Sequence, residues 1–205
     1  MSIVKLNNRG VKNATAFGSI TGLGSMIFIK KLTASSSATL SFVDGASSVV
    51  LDNTYKEYLF TFNNIHPATN SAYVTFQGNA SGGSGYNETI TSTMWGAFSE
   101  EDGSSANSFY TTADDQANGT AFQTIVKGTN NDNDTATSGY LHLFNPSSTT
   151  FVKHFLAFGS TNGTDENDIY YTAGYFNTTS AIDEIQFKMN SGNIDAGDIC
   201  LYGIA

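Results

Sequence analysis

Charge is scarce in this sequence: 13% of its 205 residues are Asp, Glu, Lys or Arg, about half the share in an ordinary globular domain. Cysteine is scarcer still. The single Cys200 excludes an internal disulfide and any zinc site built on paired thiolates. Because it alternates with Tyr202 and Ile204, it reads as a buried packing thiol in a terminal strand. No run approaches the roughly 18 apolar residues of a membrane-spanning helix, so no membrane partner is expected. The opening segment, Met1–Gly10, lacks the continuous apolar stretch of a signal peptide, which leads us to expect synthesis in the cytoplasm. Helical periodicity is missing as well, since apolar residues nowhere recur at i, i+3, i+4 and i+7 over a useful length. Neither a Gly-X-Ser-X-Gly elbow nor a phosphate-binding loop ahead of a helix is present.

Gly, Ser, Thr and Asn take the place of the missing charge, and they favour turns and exposed strand faces. Aromatic residues, at 13%, supply large flat side chains suited to a pleated, half-buried surface. Short apolar or alternating runs are separated by turn chemistry, and about ten to eleven strands are predicted. These are Met26–Leu32, apolar on both faces and so expected to be covered on both, then Thr39–Val43, Glu57–Ile65, Ala72–Gln77 and Ile90–Phe98. Further along come Phe122–Val126, Tyr140–Phe144, Phe151–Phe158, Ile169–Phe176, Glu184–Met189 and Ile199–Ile204. Two polar stretches, Glu100–Asn118 and Gly128–Gly139, read as a long excursion and a loop. The fold class is all-β: an antiparallel sandwich, jelly-roll-like, with one domain over residues 26–205 and an extended arm over residues 1–25.

The net charge of −9 is unevenly spread. Five of the nine basic residues (Lys5, Arg9, Lys12, Lys30 and Lys31) precede residue 32, and no acid precedes Asp44. The remainder carries four basic residues against eighteen acidic ones, a balance of −14. Such a body repels nucleic-acid phosphates. The basic start is instead an arm that could dock on an acidic partner, with Lys5, Arg9, Lys12, Phe17 and Ile20 as its contact residues.

Catalytic chemistry finds little support. His66, His142 and His154 each sit in or beside a strand and read as structural residues. Glu100 with Glu101, Asp114 with Asp115, and the run Asp165–Asp168 are paired carboxylates of the kind glycoside hydrolysis uses. All fall in solvated loops, without the burial that would raise a catalytic acid's pKa. Asp132, Asp134, Asp165 and Asp168 are weak calcium candidates as hard oxygen ligands on loops, although neither run has EF-hand spacing. No other cofactor is expected. Tyr110, Tyr170, Tyr171 and Tyr175 are candidates for stacking on sugars.

Three stretches carry a family resemblance: Phe62–Thr69, Leu141–Phe155, and Ile185–Met189 with the ending Leu201–Ile204. Together they resemble virion structural proteins of tailed bacteriophages of marine bacteria, especially those of cyanobacteria. The resemblance implies a virion protein without an active site. Two roles follow as expectations. One is a capsid decoration (cement) protein whose arm docks on the major capsid protein. The other is a tail-fibre or receptor-binding module, its arm serving as tail adaptor and its loops reading host glycans. Strands apolar on both faces suggest a homo-oligomer, in the form of a cyclic trimer.

Overall fold

The computed structural model describes residues 26–163 and 165–205. Within them the backbone follows the two-residue alternation of apolar side chains. The strands are β1 (Met26–Thr33), β2 (Leu40–Val43), β3 (Glu57–Pro67), β4 (Ala72–Ala80), β5 (Ile90–Glu100), β6 (Ala106–Tyr110) and β7 (Ala117–Gly119). They continue as β8 (Gln123–Thr129), β9 (Thr137–Phe144), β10 (Lys153–Asn162), β11 (Glu166–Phe176), β12 (Ile182–Met189) and β13 (Ile194–Ile204). One 3₁₀ turn, Thr112–Asp114, is the sole helical piece among the described residues.

Two antiparallel sheets result. The larger runs β1-β13-β3-β9-β10-β11-β5-β6, with β7 also paired to β5, and the smaller runs β2-β12-β4-β8. Four of the pairings are nested: β1 with β13, β2 with β12, β3 with β9, and β4 with β8. Each step inward along the chain changes sheet. The remaining strands come from two insertions, β5–β7 between β4 and β8 and β10–β11 between β9 and β12. Both insertions extend the larger sheet beyond β9.

The sheets pack face to face as a sandwich, with phenylalanines in the seam. Phe42 meets Phe60 with ring centroids 5.2 Å apart, Phe187 meets Phe60 at 5.4 Å, and Phe76 meets Phe155 at 5.0 Å. All three contacts are edge-to-face, the geometry that ring quadrupoles favour. These rings are fully buried, so they form the apolar core that burial stabilises. Cys200 is buried, as its alternation predicts.

In several places the structure departs from the sequence reading. Met26–Leu32 is not covered on both faces: β1 pairs only with β13, and Met26, Ile27 and Phe28 are exposed at this sheet edge. Glu100–Asn118 is not an irregular excursion, because β6 and β7 add to β5 through backbone hydrogen bonds that polar residues make as readily as apolar ones. The loop predicted over Gly128–Gly139 shrinks to residues 130–136, since β8 and β9 run to Thr129 and from Thr137. Phe151 precedes its predicted strand; its N–H and that of Thr150 donate to Ser148 Oγ at 3.0 and 3.2 Å, holding it in an exposed turn. The arm residues Lys5, Arg9, Lys12, Phe17 and Ile20 lie outside the described residues.

Candidate functional site: the outer face of the larger sheet

Each strand that extends the larger sheet sends alternate side chains to opposite faces. In β10, Phe155 and Ala157 point into the sandwich while His154, Leu156 and Phe158 point out. In β11, Tyr170 and Phe176 are buried while Tyr171 and Tyr175 lie on the outer face. The tyrosines singled out for sugar stacking are thereby divided. Burial pushes the Tyr170 hydroxyl's pKa up, with Asp168 as the next cause, and that ring packs inside against Phe109 at 6.0 Å. Tyr110, Tyr171 and Tyr175 share the outer face.

Register brings the outer aromatics into one line. Tyr140 lies opposite Phe158, Phe158 opposite Tyr171, Tyr171 opposite Trp95, and Trp95 opposite Tyr110. Five strands thus contribute one ring each to a ridge running across the sheet. The first three of these steps place ring centroids 5.8, 4.7 and 5.6 Å apart, at tilts of 37, 46 and 32°. At these distances and tilts each ring touches the next along the ridge. The far end is tied down: Tyr110 Oη lies 2.8 Å from Thr93 Oγ1 and donates to Asp115 Oδ2, while Met94 N–H donates to Asp115 Oδ1 at 2.8 Å.

Beside the ridge lies a trough. Its floor is the next row of the sheet, in which Leu156 lies opposite Ala173 and Ala173 opposite Thr93. Its far wall is Phe144, His154 and Tyr175. Two adjoining depressions of about 460 and 380 Å³ occupy this trough and share Leu156, Ala173 and Thr93. Seven of the nine exposed large hydrophobic side chains among the described residues are on this face. They are Trp95, Tyr110, Tyr140, Leu156 and Tyr171, with Phe28 reached through Tyr202, Leu59 and His142 along the trough's own row and Met26 reached through Ile204 and Glu57 along the row of Phe144. Isolated exposed apolar residues are ordinary; a contiguous patch marks a contact surface.

Apart from Asp115 at the end of the ridge and Glu57 opposite Phe144, the carboxylates lie elsewhere. Glu100, Asp165 and Glu166 line a polar cleft of about 330 Å³ with Ser71, Gly128, Asn130 and Gly163, and no aromatic ring lines it. Asp168, one strand turn away, is buried. Desolvation, with the charges of Glu166 and Glu100 adding to it, raises its pKa to about 6. Asp132 and Asp134 belong to the β8–β9 loop, where their backbone carbonyls accept from Thr135 and from Asn162 Nδ2. Among the described residues no group of three or more His, Cys, Asp or Glu side chains is placed to hold a metal ion. Asp114 is engaged by Lys127 Nζ at 2.7 Å and Asp115 by the ridge.

The histidines are held by neighbours. His66 Nε2 contacts the Asp132 carbonyl at 3.1 Å. His142 Nε2 lies 3.0 Å from Glu57 Oε2, not aligned as a hydrogen bond. His154 packs beside Tyr175 with ring centroids 5.6 Å apart.

Comparison with family models, with curated proteins and with solved structures finds no match. Sequence reasoning missed Trp95, Tyr140 and Phe158 as site residues. The signal was an aromatic on one face of successive strands, but their alignment is a property of register and lies between strands.

Proposed function

We propose that the chain is a non-enzymatic structural protein of a phage virion: a capsid decoration protein with a jelly-roll body, made in the host cytoplasm and assembled onto the shell. The observation that carries this reading is the open apolar ridge and trough, a surface suited to joining and lacking the buried, convergent polar groups of an active site. The jelly-roll description is supported by the nested pairing of β1/β13, β2/β12, β3/β9 and β4/β8 across two sheets. That is a long hairpin rolled up, the arrangement found in many viral shell proteins. The family resemblance of Phe62–Thr69 and Leu141–Phe155 supports the virion as its location.

In this reading residues 1–25 dock on the major capsid protein, with Lys5, Arg9 and Lys12 meeting acidic groups and Phe17 and Ile20 meeting apolar ones. The receptor-binding reading calls for aromatics and carboxylates together at one end of the sandwich. The cleft at Glu100 and Asp165 has no ring, and the ridge stands on a sheet face, so the decoration role is the better supported. Capsids lacking the protein should regain heat and osmotic resistance when the full chain is added back. A chain of residues 26–205 should fold and yet fail to bind. Full occupancy by the shortened chain would overturn the arm's role.

A further inference from the structure

The ridge and the trough lie side by side on the outer face of the larger sheet. A two-fold axis running parallel to the ridge, between it and the trough, turns one copy over onto a second. Each ridge then falls into the other copy's trough. We propose that this face joins two copies of the chain, sheet against sheet, in an isologous dimer.

The ridge row crosses five strands and the two trough rows cross four each, because β6 ends at Tyr110. At about 4.8 Å between strands and about 7 Å between rows this is a face of about 430 Å², and two such faces bury about 900 Å², close to the roughly 1,000 Å² of a specific interface. The trough row continues through His142, Leu59, Tyr202 and Phe28 to the far sheet edge, which brings the two faces together to about 1,000 Å². Composition agrees: the patch centres on Trp and Tyr, and no Asp, Glu, Lys or Arg occurs among the ridge or trough residues. Interface cores are depleted in charge in just this way and enriched in Tyr, Trp and Phe. A flat face that meets its own copy is closed by two chains, so this arrangement replaces the cyclic trimer expected from strand patterning.

The dimer deepens the reading of a surface-joining protein, but its test needs no capsid, so either can fail alone. Trp95 is the sole tryptophan and is 40% exposed in the single chain, so it reports directly on cover over the ridge. The full chain should have the mass of two chains by light scattering at about 100 µM and dissociate on dilution if the Kd is micromolar. On dissociation Trp95 emission should move to the red and acrylamide quenching should rise severalfold. Leu156→Lys, a change at an exposed position, should give a monomer with unchanged circular dichroism and with Trp95 fully open to quencher; Tyr171→Lys should do the same. A chain that stays monomeric at that concentration with Trp95 freely quenched overturns the proposal. So does a mass of three chains, an oligomer indifferent to both substitutions, or protection of Trp95 that appears only when capsid shells or oligosaccharides are added.

Discussion

At Asp168 a carboxylate has been taken out of water beside two others. Its pKa of about 6 stands above the roughly 3.9 of an unfolded aspartate, so between those values the folded chain binds more protons than the unfolded one. Stability therefore falls as pH rises through that window, and the penalty is complete above it. Asp168→Asn should stabilise the protein at pH 8 by about 1 kcal/mol, after allowance for solvent screening at the neighbouring cleft, and raise Tm by about 2–4 °C. The gain should vanish near pH 4; a variant less stable than wild type at pH 8 would contradict this account. Gln77 is the opposite case, a buried polar group fully used. Its amide nitrogen lies 3.0, 3.2 and 2.9 Å from the carbonyls of Glu88, Thr120 and Ala121, and its Oε1 accepts from Gly78 N–H. Gln77→Ala would leave those loop carbonyls short of donors and should cost about 2 kcal/mol in denaturant unfolding. Neither role was legible in the sequence. Cys200 is buried as expected, although its alternation partners Tyr202 and Ile204 are only partly so, whereas Gln77 and Asp168 depend on partners brought from distant segments.

Elements were legible wherever alternation was strong. Glu57–Ile65 and Glu184–Met189 fall inside β3 and β12 with the predicted faces buried. Alternation assigns a face but not a partner, so it could not show that Tyr140, Phe158, Tyr171, Trp95 and Tyr110 form one line. It also gave no sign of β6 and β7, which are short, polar and mostly exposed. The line depends on close approach of β9 and β10, where Gly139 lies opposite Gly159. A Cβ on Gly139 would come within 2.1 Å of the Phe158 carbonyl oxygen, next to the ridge residue itself. Because the obstacle is backbone, Gly139→Ala should cost about 3 kcal/mol and disturb the ridge. Thermal unfolding together with Trp95 emission measures both effects. An unchanged Tm would show that these strands have room to separate.

At the scale of the molecule, two sheets and an aromatic seam were readable from composition, because a chain poor in charge and helix formers but rich in Phe, Tyr, Thr and Gly has few other ways to fold. The nested pairing was not readable, since it links strands as far apart as β1 and β13. Nor were the two insertions that widen one sheet and carry the ridge. Their consequence is a larger sheet whose outer face carries the aromatic ridge beyond β3. The central claim, that such a molecule is a capsid decoration protein, meets its most direct test in electron cryomicroscopy of intact particles from the host that makes it. The account predicts sandwich-shaped density on the outside of the capsid shell at symmetry-related positions, with the beginning of β1 directed toward the underlying capsid protein. Particles that lack the chain, or that carry it only on the tail, would contradict the account.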